Sequence, residues 1–258
     1  MRDPGLEEAI QAAGGVTELA RRIGIAQPSI SNWDRVPADR VAAVENATGI
    51  SRVRLRPDLF SAEPAGGDID EIDLERSRHY ELLAILLSRA PSKAFLARLA
   101  KLRGNATPLG VALAGLGEAA STVDPESVER EFFDLFIGVG RGELLPYGSY
   151  YLSGFLNERP LARLRADLAA LGIERAEGNH EPEDHAATLC EIMAGFAAKR
   201  FVASKEAERD VFAKHVAPWM GRLFADIERA DSARFYRHIG ALGRLFLDIE
   251  AEAFTLAG

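Results

Sequence analysis

Apolar residues recur at intervals of three and four along almost the whole chain, and nowhere do they alternate long enough to make a strand. That rhythm restricts the chain to packed helices. Leu161, Leu164, Leu168 and Leu171 fall on one helical face, and Gly172 is placed to end that helix. Phe235, Ile239, Leu242, Phe246 and Ile249 share a second face, and Ile72, Tyr80, Leu83, Leu86 and Leu87 a third. Val128, Phe132, Leu135 and Phe136 make a fourth, opened by Asp124 as N-cap and Pro125 in the first turn. The expected fold is all-α.

The rhythm stops at Ser61-Ala-Glu-Pro-Ala-Gly-Gly-Asp68, a small, polar, Pro- and Gly-bearing stretch of linker composition. The chain has 258 residues, enough for two unequal domains. We expect a small domain over 1–60, a linker over 61–70 and a large domain over 71–258. Charge is divided with them. The first 60 residues hold eight basic and eight acidic side chains, so the remainder carries the whole net charge of −8. An acidic body repels DNA and membrane surfaces and attracts cationic partners. No apolar run approaches the ~20 residues of a membrane span. The opening residues are acidic and helix-forming, with no signal-peptide pattern, and Cys190 is the only cysteine. Together these features favour the cytoplasm, with no stable membrane insertion.

Within the small domain, Val16 to Asp34 has the pattern of a helix-turn-helix. Val16, Leu19, Ala20 and Ile23 point inward from a first helix, and Gly24 suits the tight turn. The expected recognition helix is Gln27–Trp33, anchored by Ile30 and Trp33. It would present Gln27, Ser29, Ser31 and Asn32, with Arg35 just beyond, to base edges or phosphates. Pro37 is expected to start a further helix bearing Val41, Val44 and Ala47, which ends near Gly49. The plainer alternative is a helical cap that touches no DNA.

Two segments of the large domain break the helical rhythm: Gly138 to Gly154, with five glycines and three tyrosines, and Gly172 to Pro182. Loops on a helical scaffold are where binding sites usually sit. The second leads into Glu181-Pro182-Glu183-Asp184-His185. If a helix starts there, Glu181, Asp184 and His185 share one face. That face could bind a cation or a basic peptide, or orient an imidazole. Equally, it could only complement a helix dipole. His180 stands beside the cluster, but no His/Cys spacing supports a metal site, and none is expected.

Both domains resemble known families. Ala13 to Ala20, Ile25 to Trp33, Val36 to Arg40 and Leu55 to Phe60 resemble the Cro-like, YdaS-type DNA-binding domains, which implies major-groove binding as a dimer. The large domain is similar to the TorD/DmsD family of chaperones for molybdenum-containing redox enzymes. The similarity rests on Phe132-Phe-Asp-Leu135-Phe136, Leu145-Pro146-Tyr147-Gly-Ser149-Tyr150-Tyr151, Glu181-Pro-Glu-Asp184-His185 and His215-Val-Ala-Pro218-Trp219. It implies an all-helical bundle that holds the twin-arginine signal peptide or N-terminus of an apo-oxidoreductase until its cofactor is inserted.

A receptor for two guanidiniums and an apolar stretch needs carboxylates beside an aromatic-lined groove. Glu181, Glu183 and Asp184 are candidates for the first. Leu144, Tyr147, Tyr150, Tyr151 and Trp219 are candidates for the second. Pro146, Ser149, His185 and His215 complete the motif set, although core packing or capping would account for several of these residues. No phosphate-binding loop and no nucleophile with an evident base is found, so no enzyme and no cofactor is expected. The expectation is therefore a client-peptide chaperone with an added DNA reader. The alternatives are a transcription regulator that senses client peptide and, more weakly, a metal-dependent or nucleotide hydrolase.

Overall fold

A computed structural model of the chain describes residues 3–37, 40–50, 52–56, 69–174, 181–201 and 203–256. The linker over 61–68, the Pro57-to-Phe60 stretch and His180 lie outside them. The chain divides into two compact units, Met1–Asp68 and Ile69–Gly258. The architecture is all-α, with no strand among the described residues.

The small unit holds α1 (Pro4–Ala13), α2 (Val16–Ile23), α3 (Gln27–Ser31), α4 (Val41–Thr48) and α5 (Arg52–Leu55). Asp3 caps α1 by accepting from the Gly5 N–H at 2.9 Å, with Pro4 in the first turn. Leu6, Leu19, Ile30, Val44 and Leu55 are fully buried and bind all five helices to one core. Each full burial of a Leu or Ile stabilises by about 1.5–3 kcal/mol. Gly24 turns α2 into the following segment with φ +71, a conformation cheap only for glycine. Two expected boundaries shift. The third helix stops at Ser31, because the Asn32 and Trp33 N–H groups tighten its end by bonding Ser29 and Ile30 carbonyls three residues back. The fourth opens at Val41; Pro37 lies outside it, its carbonyl accepting from the Arg40 N–H at 2.9 Å.

The large unit holds α6 (Glu71–Ser88), α7 (Lys93–Leu99), α8 (Pro108–Thr122), α9 (Pro125–Phe132), α10 (Gly148–Ser153), α11 (Arg159–Ala170), α12 (Ala186–Ala197), α13 (Lys205–Val211), α14 (Met220–Arg229) and α15 (Tyr236–Leu256). The central pairings are α6 on α12 and α14 on α15. On Gly243 of α15 a Cβ would sit 2.3 Å from the Phe224 ring, so only glycine lets α14 come this close. The start read from sequence at Asp124 has a physical cap: Asp124 accepts from Ser127 N–H at 3.0 Å, with Pro125 next. Thr107, not singled out from sequence, caps α8 in the same way, accepting from Gly110 N–H at 3.1 Å ahead of Pro108. The long α15 is capped from a distance. Buried Glu131 on α9 accepts from the N–H groups of Arg234, Phe235 and Tyr236 at 2.7, 3.0 and 2.6 Å, placing a carboxylate on the positive end of the helix.

The apolar stripes form the core with two exceptions. Ile72 is 73% exposed and Ile249 47% exposed, although their helical register matches that of buried Tyr80 and Phe246. Both stand at the ends of the stripes read from sequence.

Candidate functional site

In the small unit, Gln27, Ser29, Ser31, Asn32 and Arg35 are all exposed, while Ile30 between them is buried. The Gln27 amide donates to Ser31 Oγ at 2.9 Å, which holds both side chains along the same face of α3. Five of the unit's described arginines are engaged by its own acceptors. Glu18 binds Arg21 at 2.6 Å and Arg22 at 3.2 Å, Glu45 binds Arg52 at 2.7 Å and Glu8 binds Arg54 at 2.6 Å. Arg56 is buried and donates to the Val36 carbonyl at 2.6 Å. A phosphate would have to compete with these carboxylates, so the unit has short polar groups to offer DNA but little free positive charge.

The large unit assembles most of its motif residues in one place. After α9 the backbone widens to a π-helical turn, Phe133–Ile137, closed by the Gly138 N–H on the Phe133 carbonyl at 2.7 Å. The chain doubles back, with Leu144 N–H on the Leu135 carbonyl at 2.8 Å, and delivers Pro146 and Tyr147. There it meets the Glu181–His185 segment. Gly148 N–H donates to the Asp184 carbonyl, and Ala186 N–H to the Pro146 carbonyl, both at 2.8 Å. No helix starts at Glu181. This pairing holds residues 181–185 in a turn, and α12 begins at Ala186 with His185 as its N-cap.

Asp184 is 3% exposed. Its Oδ2 accepts from Ser149 N–H at 2.7 Å at the start of α10, and its Oδ1 has no partner among the described residues. His185 Nδ1 accepts from Ala187 N–H at 3.1 Å, which leaves Nε2 to carry the proton of the neutral ring. Burial pulls this imidazole below its ordinary pKa, against Glu181 and Asp184, which favour the charged form. The Tyr147 ring stands edge-on to His185 at 5.0 Å, and its hydroxyl donates to Glu181 Oε1 at 2.6 Å. Burial, then Glu181, push the Tyr147 phenol well above its usual value, so it acts as a donor.

These residues border a pocket of about 370 Å³. Tyr147, Glu181, His185, Thr188 and Glu191 give it a polar, acidic side, and Leu87, Phe132, Phe136, Ile137 and Pro146 an apolar wall. Thr188 and Glu191 were not singled out from sequence. They follow His185 at steps of three along α12, a spacing that could have revealed them.

The other predicted site residues lie behind or beside this pocket. Trp219 is 1% exposed and belongs to the core. It donates to the His215 carbonyl at 2.7 Å, while His215 Nε2 pairs with Asp167 at 2.7 Å. Leu144 packs on the same core, and Ser149 is fully buried, its Oγ accepting from Asn157 N–H at 3.2 Å. Tyr151 lies 5.5 Å from the Trp219 ring and donates to Asp226 at 2.9 Å. Tyr150 faces the Arg141 guanidinium at 5.8 Å, and Glu183 binds Arg165 of α11 at 2.8 Å.

This is a helical unit with a mixed acidic and apolar pocket, attached to a helix-turn-helix. Known proteins fall on the same two halves. Residues 103–225 match the family model described as nitrate reductase delta subunit, and residues 6–64 that described as bacterial toxin YdaS. The chaperone protein TorD of Vibrio cholerae El Tor is 27% identical over 126 residues, 45% of this chain and 57% of that protein. TorD of Aliivibrio fischeri is 25% identical over 135 residues, 48% and 63% respectively. The matches thus span less than two thirds of these curated relatives. A candidate redox enzyme maturation protein from Archaeoglobus fulgidus superposes with a TM-score of 0.46 at 19% identity, covering 67% of this chain and 93% of that one. The large unit is thus similar to the nitrate reductase delta subunit family and to the TorD chaperones, and the small unit to the YdaS family.

Proposed function

We propose that the chain is a cytoplasmic maturation chaperone, not a catalyst, whose large unit holds the signal peptide or N-terminal segment of an apo-oxidoreductase. The observation that carries this reading is the pocket beside Tyr147 and Glu181. It sets two carboxylates, Glu181 and Glu191, against an apolar wall, and both carboxylates fall in the stretch 103–225 that the delta-subunit family model matches. A peptide bearing paired guanidiniums and an apolar stretch satisfies both sides at once. Asp184, Ser149, His215 and Trp219 support the pocket from behind, and Glu181 and Tyr147 meet the client.

Isothermal titration of a synthetic peptide carrying Arg-Arg ahead of an apolar run is the direct test. Glu181→Gln and Tyr147→Phe are expected to weaken its binding at least fivefold while the urea midpoint stays put. Unchanged affinity in both variants removes the pocket from client recognition.

The small unit is proposed to bind DNA through Gln27, Ser29, Ser31, Asn32 and Arg35, as a dimer. The observation behind this is the row of exposed, short polar side chains on α3, fixed by one buried Ile30. A second reading follows from the fusion itself: a regulator whose large unit senses unoccupied client peptide and whose small unit acts on a promoter.

A further inference from the structure

A second pocket lies in the large unit, formed by α6, α8 and α15, and nothing above gives it a role. Its volume is about 340 Å³. Phe246 lines it with His79 stacked on the ring at 5.2 Å, and Leu109 adds a wall from α8. Ile72 and Ile249 also line it, at 73% and 47% exposure. These are the two isoleucines whose helical register marks them for burial and which the unit leaves in water. Two apolar stripes on different helices thus end on the same concave surface. Exposed apolar residues scattered singly need no explanation, but two converging on one pocket mark a contact face.

The net charge around this face is acidic. Arg76 is spent on Glu250, which it grips through two contacts of 2.7 Å, on Glu208 at 2.6 Å and on Asp73 at 2.9 Å. Glu71 and Glu75 line the pocket and are exposed, Glu75 pairing with Arg78. Five carboxylates therefore stand against two guanidiniums. The remaining imidazole, His79, is committed through Nδ1 to the Glu75 carbonyl at 2.7 Å. An apolar pocket under a surplus of carboxylates selects a partner with apolar anchors flanked by cations.

We infer that this pocket docks a basic amphipathic helical segment of a partner protein, its apolar residues seated between Ile72 and Ile249 and its lysines or arginines meeting Glu71 and Glu75. The site is distinct from the Tyr147–Glu181 pocket, and the inference does not depend on the client reading.

The probe is a labelled 18-residue Leu/Lys peptide with leucines at helical spacing, beside a scrambled isomer of identical composition. Fluorescence anisotropy with the full chain at physiological salt reads the affinity. The amphipathic peptide is expected to bind at least tenfold tighter than its scramble. Ile72→Ala/Ile249→Ala, which leaves every charge in place, is expected to abolish that preference. Glu71→Gln/Glu75→Gln is expected to weaken binding and flatten its salt dependence, and Glu181→Gln on the other pocket to change nothing. Circular dichroism checks that the variants, all on exposed positions, stay folded. The inference is overturned by equal binding of peptide and scramble, by a double alanine variant that binds like the parent, or by a Glu181→Gln variant that loses binding. Sedimentation supplies a further refutation: a parental dimer that the double alanine variant turns into a monomer would make the face a contact between two copies of this chain.

Discussion

Replacing Arg76 by methionine tests how the large unit tolerates buried charge. The guanidinium is 16% exposed and binds three carboxylates whose side chains are 2%, 10% and 12% exposed: Glu250, Glu208 and Asp73. Burial alone would lower its pKa, but Glu250 and Glu208 more than offset this and hold it well above its usual value. Methionine keeps the hydrocarbon volume and removes the charge. Tyr80 still donates to Glu250 at 2.9 Å, but no cation remains for three acidic groups tied to α6, α13 and α15. Breaking a buried pair from one side costs about 3–5 kcal/mol, and we expect that loss at pH 8.

The pH dependence fixes the mechanism. Burial raises the Glu208 carboxyl above its usual value even beside Arg76. A carboxyl with a raised folded pKa contributes most stability below the usual carboxylate range and loses it as pH rises. Without Arg76 the Glu208 carboxyl rises further, so the deficit should shrink on acidification, by up to roughly 1.4 kcal/mol per pH unit for the proton it takes up. Urea melts at pH 5, 6.5 and 8 measure it, followed by Trp219 fluorescence in a Trp33→Phe background that leaves one tryptophan. A loss under 1 kcal/mol at pH 8, or a deficit that grows as pH falls, refutes the reasoning.

Other expectations are more local. Asp184→Ala removes a buried charged acceptor of Ser149 N–H and should cost about 1.5–3 kcal/mol of stability, whereas exposed Glu181→Gln should cost under about 0.5 kcal/mol; equal urea midpoints for the two would contradict the division between support and contact. His185 has a depressed pKa, so its contribution is present above the usual imidazole range near pH 6.5 and is lost as pH falls through it. His185→Asn keeps a capping side chain and should flatten the acid side of the stability profile, and parallel profiles would argue against the assignment. Cys190 is fully buried, 3.9 Å from Met220 Sδ, and burial pushes its thiol far up, so a thiol reagent should label it only as fast as the unit unfolds; rapid native labelling would show an open core. Changing Gln27, Ser29 and Asn32 together to alanine should abolish specific DNA binding, each lost base contact costing about 1–3 kcal/mol, and leave both units folded. Unchanged protection of promoter DNA would dismiss direct readout.

The helices were legible because their signals are local. Asp124-Pro125 announces a start through a side-chain cap that needs no distant partner, and the Leu161–Leu168 stripe buries as its spacing demands. What sequence could not show depends on long-range pairing. The spacing of Glu181, Asp184 and His185 suggested one helical face. The backbone at Asp184 and Ala186 instead bonds to the Pro146–Gly148 stretch almost forty residues earlier, and a paired backbone cannot also close a helical turn. The same limit hid the π-helical turn at Phe133–Ile137, which widens by one residue without any proline or glycine to mark it. Asp73, Arg76, Glu208 and Glu250 carry no sequence pattern that joins them, and only the packing of three helices makes them one buried network.

The exposed ends of the stripes carry the opposite lesson. Ile72 and Ile249 obey their helical period, and the expected burial failed because both face an open pocket rather than the core. A periodic apolar residue left in water gains nothing for the isolated fold, since its burial energy of about 1.5–3 kcal/mol is realised only when something covers it. The two residues most at odds with the core are therefore the ones that point outward to a partner, and they do so on a different face from the pocket that the sequence motifs marked.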